Sequence, residues 1–343
     1  MAYDAVVLVS FGGPERMEDV LPFLNNVLRG RAVPPGRLQE VAAHYVAFGG
    51  RSPIREATRA IAENLQNELD LKGPRLPVYI GNRNWHPMLD ATLRRMAQDG
   101  VERALAIVTS AFGSYSGCRQ YQEDIARAQA TVAVATGTSA PLLEKVRLFY
   151  NHPEFLAIWT ERVAEALAQA PAQSELIFTA HSIPAAMAAV SPYEEQLSEA
   201  ARLIASACGQ ANFAIAYQSR SGSPQEPWLE PSLETVLAGC AARHVPGVVV
   251  APLGFVSDHM EVVYDLDREA RQQAQDLGLP MLRVKTPGDH AHFAVLLREL
   301  ILERCDPEHA RRAAGRCGPW PDICYPGCCL TPSISPDVLV SIA

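Results

Sequence analysis

Short apolar runs alternate along this chain with longer stretches in which apolar positions recur at three- and four-residue spacing. The short runs read as buried strands of parallel sheets, the longer ones as amphipathic helices. In the first half, strands are predicted at Tyr3–Ser10, Val78–Gly81 and Ala104–Thr109. In the second half they fall at Leu176–Thr179, Phe213–Tyr217, Val248–Leu253 and Leu282–Val284. Helices are predicted at Glu15–Leu28, from Pro53 to about Leu71, up to about Asp99, and after the Ser/Gly/Tyr loop Ser110–Gly117. Further helices follow at Pro153–Gln169, Tyr193–Ala207, Ser232–Ala242 and Ala291–Arg304, while Val132–Pro141 is ambiguous. Ser52 before Pro53 supplies a cap and a first-turn proline. Strands and helices alternating throughout predict an α/β protein with two Rossmann-like domains, each a parallel sheet flanked by helices. The expected boundaries are 1–145, 146–304 and a Cys-rich segment with its tail at 305–343.

The most informative stretch is Phe255–Asp267, which follows the valine-rich strand Val248–Leu253. Ser257 or Asp258 can cap a helix here, with Glu261 completing a capping box. Glu261, Asp265 and Glu269 then recur every four residues, which puts three carboxylates in one row on a helix. Like charges so placed cost about 0.2–0.5 kcal/mol per pair. One reading is a solvated acidic face. The other is a functional row for protons or a divalent cation, because it starts at a strand's carboxyl end, where open α/β sheets place their ligands. Asp258 and His259 stand at its mouth. His181 ends the strand before Pro184, at the corresponding edge of the same predicted sheet. As a lone histidine it can be structural. Paired with Glu261 it makes a sparse ligand set, suited to transient rather than resident metal. Arg83 also emerges at a strand end. It is either a surface ion-pair partner or a holder of substrate carboxylates. Val20–Val33 reads as core packing or as a hydrophobic lip over a pocket.

Composition narrows the classes. Hydrophobic content of 48% and charged content of 20% over 343 residues indicate globular domains with a real core. A net charge of −8 argues against nucleic acid as a partner. No apolar run is long enough to span a bilayer and the N-terminus enters a strand at once, so no signal or transit peptide is expected. A cytoplasmic protein is expected, with peripheral contact at the inner face of a membrane as an open alternative. Gly12-Gly13 does not form a G-x-G-x-x-G fingerprint, which disfavours a nucleotide-dependent transferase.

Several motifs together resemble the ferrochelatases. They are His181-Ser182-Ile183-Pro184, Tyr217-Gln218-Ser219-Arg220, and Ser257-Asp258-His259-Met260-Glu261 with Tyr264, Leu266 and Asp267. In the same order as in that family come Phe11-Gly12-Gly13-Pro14, the Phe48–Ile54 loop, and Gly81-Asn82-Arg83 before His86-Pro87. The resemblance covers about residues 3–304. It implies insertion of Fe²⁺ into a porphyrin with loss of two pyrrole protons, as the last step of haem formation. It places His181 and Glu261 as metal ligands or pyrrole bases across the pocket. Asp258, His259, Asp265 and Glu269 match the family's proton or metal track. Arg83 matches a residue near the porphyrin propionates. Phe11, Asn84, Ser182, Tyr217 and Ser219 are the remaining expected substrate contacts, with Phe11 where relatives carry Met or Tyr and Asn84 where they often carry Tyr or His.

Eight cysteines divide into Cys118, Cys208, Cys240 and Cys305, scattered, and Cys317, Cys324, Cys328 and Cys329, clustered. Four cysteines within thirteen residues suit a [2Fe–2S] cluster or a zinc site. Several bacterial ferrochelatases carry a C-terminal four-cysteine [2Fe–2S] segment similar to this one, which favours the cluster. The expected substrates are protoporphyrin IX and Fe²⁺, and the expected state is a monomer or homodimer. Coproporphyrin III is the alternative porphyrin. It carries four propionates and calls for more cationic groups than Arg83, Arg51 and Arg31. A rival of another class is a non-catalytic haem- or iron-binding sensor with an iron–sulfur cluster.

Overall fold

A computed structural model describes residues 2–29, 36–137, 139–221, 225–325 and 327–330. Arg31, one of the expected cations, lies outside them. Strands β1 (Ala5–Ser10), β2 (Val78–Asn82), β3 (Arg103–Val108) and β4 (Leu142–Lys145) form one sheet in the order β2-β1-β3-β4. Strands β5 (Glu175–His181), β6 (Phe213–Gln218), β7 (Val248–Ala251) and β8 (Met281–Arg283) form a second in the order β6-β5-β7-β8. Every pairing is parallel, with Val7 opposite Tyr79 and Ala106, and Ile177 opposite Ala214 and Val250. Valine, leucine and isoleucine runs make these strands because both faces are covered by helices.

The two sheets share one topology. In each, the chain leaves the first strand to one side and returns to the other side for the third. The loops after these two strands therefore part at the carboxyl edge and open a crevice. In the first sheet they carry Phe11 and Ser110; in the second they carry His181 and the Phe255–Glu261 stretch. One contiguous core joins the halves, holding Leu8 and Ile107 from the first sheet with Phe178 and Val249 from the second. The last helix, Ala291–Cys305, packs on Ile54–Lys72 of the first half and on Pro153–Gln169 of the second.

Among the elements that were not expected, two show why. Helix Arg37–Val46 has a weak apolar pattern, with only one of its described side chains buried. Strand β4 buries only Leu143, so it has no apolar run to betray it. The ambiguous Val132–Pro141 proves to be the end of helix Gln120–Thr136 and the turn at Gly137, where φ is 68°.

Residues 306–330 form no regular element among those described, yet they are tied down along the junction between the halves. Arg147, fully buried, makes a two-pronged ion pair with Glu303 at 2.6 and 2.7 Å and donates to the Arg312 carbonyl at 2.7 Å. Asn151 donates to the Gly318 carbonyl at 2.7 Å, and the Arg316 N–H donates to Glu199 at 2.8 Å. Glu199, held by Arg202 and Arg316, titrates well below the usual carboxylate range, to about 2. Removing one member of a buried pair strands the other charge and costs about 3–5 kcal/mol, whereas replacing both with apolar groups is often neutral. Arg147→Met should therefore lower stability by about that amount, and Arg147→Met with Glu303→Leu should recover most of it. Urea unfolding of the two variants checks this; equal losses in both would refute it.

Candidate active site

The crevice at the carboxyl edges is a cavity of about 560 Å³. A volume of that order suits a cofactor-sized ligand. Its walls come from both sheets: Phe11, Arg83, Thr109 and Ser110 from the first, His181, Ser219, Phe255–Ser257 and His259–Glu261 from the second. Gly254 lets the two walls of the second half meet. A Cβ there would lie 2.8 Å from the Ala180 Cα, and its N–H donates to the Thr179 carbonyl at 3.0 Å. That close approach brings the residues after β7 beside the end of β5.

The result is a pairing of His181 and Glu261. Nε2 of His181 stands 3.3 Å from a Glu261 carboxylate oxygen, and His259 Nδ1 is 3.8 Å from the other. Nδ1 of His181 is bonded to the Ser182 carbonyl, so Nε2 is the nitrogen turned to the cavity side. Tyr193 donates to the His181 carbonyl at 3.0 Å, and Gln218 donates to the Glu261 carbonyl at 2.8 Å. Burial opposes charge on both members, yet their mutual attraction prevails. His181 is shifted up by Glu261, and Glu261 is shifted down by His181 and His259. His259 is lowered, first by burial.

The acidic row is present, but its scaffold differs from the expected helix. The N-cap is His259, whose Nδ1 accepts from the Glu261 N–H at 3.2 Å, rather than Ser257 or Asp258. Helix Met260–Val263 gives way to a π turn at Asp265–Ala270, then to helix Arg271–Asp276. The Glu269 N–H bonds the Tyr264 carbonyl at 3.1 Å, five residues back. A second π turn, Tyr115–Arg119, also borders the cavity; such turns often mark functional sites. Glu261, Asp265 and Glu269 all line the cavity. Burial first, then the Glu261 and Glu269 charges, raise Asp265 to about 7 despite a hydrogen bond from Ser219. Glu269 is raised, chiefly by burial. Asp258 departs from the expected track. It is held by Arg283 and Thr286 and is not among the cavity-lining side chains.

The expected substrate contacts separate. Phe11, Arg83 and Ser219 line the cavity. Asn84 lines a smaller side recess of about 180 Å³, with Arg83 shared between the two. Ser182 and Tyr217 are buried off the cavity, Ser182 donating to the Leu229 carbonyl at 2.9 Å. Arg83 is a buried rather than a surface ion pair. Its guanidinium meets Asp124 and stacks 4.4 Å from the Tyr121 ring centroid. Asp124 also receives Arg29, at 3.2 Å, and Arg127, so three arginines converge on one aspartate. Sequence reading missed that group, because Asp124 looks like any helix carboxylate until the fold sets it beside Arg83. Arg51 instead pairs with Glu56 at the surface. Val20, Phe23, Leu24 and Val27 of the expected lip form a small core with Tyr45 and Trp85, while Met17, Leu21, Val46 and Phe48 stay exposed.

The cysteines also regroup. Cys317 is exposed and stands near enough to Tyr150 to help raise its hydroxyl. Cys118, on the π turn at the cavity, lies close enough to Cys324 for the two thiols to influence each other, as do Cys324 and Cys328. The Sγ atoms of Cys328 and Cys329 are 3.4 Å apart. The neighbouring Cys118 thiol draws Cys324 down to about 5 and is itself pushed far up by it, whereas burial raises Cys329. Metal ligation needs thiolate, and of these four thiols only Cys324 is shifted towards it, while Cys118, Cys328 and Cys329 are shifted up. The fold thus brings Cys118 to the C-terminal cysteines, although among the described residues no three His, Cys, Asp or Glu side chains are arranged to hold a metal ion.

Fold and cavity together define a chelatase-type protein. Bacillus subtilis SirB with Fe³⁺ superposes with a TM-score of 0.55 at 11% identity, covering 90% of this chain and 100% of that one. The cobalt complex of the sirohydrochlorin chelatase SirB from Bacillus subtilis subspecies spizizenii gives 0.52 at 12% identity, covering 90% and 99%. At such identities the likeness is of fold alone. The particular family follows from sequence: the ferrochelatase model matches residues 3–305, and the chain belongs to the ferrochelatase family. It is 48% identical to the ferrochelatase of Rhodopirellula baltica, over 96% of this chain and 93% of that protein. It is 49% identical to the coproporphyrin III ferrochelatase of Nocardia farcinica, over 96% and 97%. It is thus an enzyme, a metal-inserting porphyrin chelatase.

The Asp265 environment has a consequence for stability. The folded protein keeps this proton up to about pH 7, while an unfolded aspartate loses it near 3.9. Between those values the folded state binds more protons, so this contribution to stability is present at low pH and fades as pH rises through 7. Asp265→Asn cannot titrate. Its stability relative to the parent should rise between pH 5 and pH 8, as read from urea midpoints; parallel pH profiles would refute the buried-proton assignment.

Proposed function

We propose that this ferrochelatase inserts Fe²⁺ into coproporphyrin III. The observation that carries the chemistry is the half-buried His181–Glu261 pair facing a cavity into which Asp265 and Glu269 also open. A porphyrin hides its two N–H groups in the ring plane. Insertion requires that each proton be taken as Fe²⁺ arrives, with no net electron transfer. The ionised Glu261 carboxylate takes the first proton, and Nε2 of His181 takes the second once it has passed its own proton to the acidic row; both face the ring from one side. Asp265, with its pKa near 7, takes and gives protons at neutral pH, and Glu269 continues the path outward. Ser219 and Gln218 hold this wall still while ring binding supplies the energy to bend the macrocycle.

The porphyrin itself is argued differently. Protoporphyrin IX was the first expectation from the motifs. The Nocardia farcinica relative and that of Mycolicibacterium smegmatis, 46% identical over 92% of this chain, are both named coproporphyrin III ferrochelatases. The cation supply also exceeds the expectation. Arg29, Arg83 and Arg127 line the side recess, partly offset by Asp124 and Glu123, and Arg220 lines the main cavity. Four propionates match such a surround better than two. Purified protein given Fe²⁺ without oxygen should metallate coproporphyrin III with a kcat/KM well above that for protoporphyrin IX. The reverse ranking would refute the substrate. Glu261→Gln and His181→Ala should each lower kcat by about 10²–10⁴-fold. Near-normal turnover in either, at saturating porphyrin, would remove it from the mechanism.

A [2Fe–2S] cluster held by Cys118, Cys324, Cys328 and Cys329 is part of the same reading. It would tie the C-terminal segment to the first half of the molecule, outside the insertion chemistry. Protein prepared without oxygen should absorb in the visible. Cys118→Ser and Cys324→Ser should bleach it, and Cys317→Ser should not. A colourless parent, or colour lost with Cys317 and kept without Cys118, would overturn the ligand set.

A further inference from the structure

We propose that Arg283 is a positioning residue for metal insertion: it fixes both ends of the Ser257–Asp267 segment and so sets Glu261 against His181. The inference rests on the chelatase reading above. Arg283 is the last residue of β8 and its side chain is largely buried. Its guanidinium grips two carboxylates at once. Asp258, three residues before Glu261, accepts from Nη1 at 3.1 Å and from Nη2 at 3.0 Å. Asp267, six residues after Glu261, accepts from Nε at 2.7 Å and from Nη2 at 3.0 Å. Thr286 adds a donor to Asp258 at 2.9 Å, and Arg271 approaches Asp267 at 3.8 Å. Neither carboxylate lines the cavity.

The span between the two grips has little stability of its own. It holds a four-residue helix and the start of a π turn. A single helical turn is unstable without tertiary support. On the cavity side that support is the Gln218 bond to the Glu261 carbonyl and the Ser219 bond to Asp265. Arg283 provides the opposing hold from behind. The segment is then fixed on both flanks, with Glu261 at its centre. A lysine cannot replace this, because the two grips use the planar fork of the guanidinium.

The test uses two variants in the full chain. Arg283→Lys keeps the charge and loses the fork. Arg283→Leu with Asp258→Asn and Asp267→Asn removes the clamp and leaves no stranded charge. Three readouts are taken: kcat for Fe²⁺ insertion into coproporphyrin III, the metal-free dissociation constant for that porphyrin by fluorescence quenching, and the His181–Glu261 distance in a crystal structure of the triple variant. Misplacing a reacting group by about 1 Å costs about 10²-fold. The triple variant should lose kcat on that scale with porphyrin affinity unchanged, should show the 3.3 Å approach lost, and Arg283→Lys should fall between it and the parent. A folded triple variant with parental kcat, or a kcat loss matched by weaker porphyrin binding, would overturn the clamp. If the parent metallates neither porphyrin, the functional reading fails, and the crystallographic distance alone decides: an intact His181–Glu261 contact in the triple variant refutes Arg283, and a broken one supports it.

Discussion

A carboxylate taken out of water needs a positive partner held in place, and much of the second half of this chain is arranged to give Glu261 one. Desolvating a lone carboxylate costs several kcal/mol, enough to consume the stability of an ordinary domain. The partner, His181, ends one strand, and Glu261 follows the neighbouring strand after a turn. The two can meet only if the backbone between them comes very close, which Gly254 against Ala180 permits. Around this contact the other polar bonds make sense. Tyr193 satisfies the His181 carbonyl, Gln218 satisfies that of Glu261, and the Ser182 carbonyl fixes which imidazole nitrogen faces the carboxylate.

The acids near the site divide into two kinds by what lies behind them. Asp258 and Asp267 point away from the cavity to Arg283, which sits between them. Glu261, Asp265 and Glu269 point into the cavity. A regular helix from Ser257 onward would keep Glu261, Asp265 and Glu269 in one row but would also set Asp258 nearly in line with them. Breaking the helix at His259 and widening it into a π turn separates the sets. One set supplies structure. The other keeps proton affinities spread from far below neutrality at Glu261 to about 7 at Asp265, which is how neighbouring carboxyls acquire different tasks.

Most of the architecture was legible from sequence, for a physical reason. Strands buried on both faces must be nearly all apolar, so Val248–Ala251 and Ala5–Ser10 announce themselves. An edge strand with one buried side chain, such as Leu142–Lys145, has no such mark. The same holds at the site. His181 and Glu261 were legible because strand ends are where α/β folds place ligands. Arg283 and Asp124 were not, since the approach of Asp258 and Asp267 to the one, and of Arg29 and Arg83 to the other, is set by packing. The helix signal around Glu261 was read at the right place and given the wrong geometry. Carboxylate spacing reports a shared face, and it is silent on whether the backbone closes at the fourth or the fifth residue.

Cys118 shows how a local pattern can mislead about a three-dimensional one. Four cysteines close in sequence suggest a self-contained site. In the fold, the chain from 306 onward runs across the junction of the two halves, fastened by Arg147, Asn151 and Glu199, and this path carries Cys324, Cys328 and Cys329 to the π turn bearing Cys118. Cys317 lies on the way, near Tyr150. Thiols from the first half and from the C-terminal segment thus meet beside the loop whose Ser114 and Ser116 line the cavity.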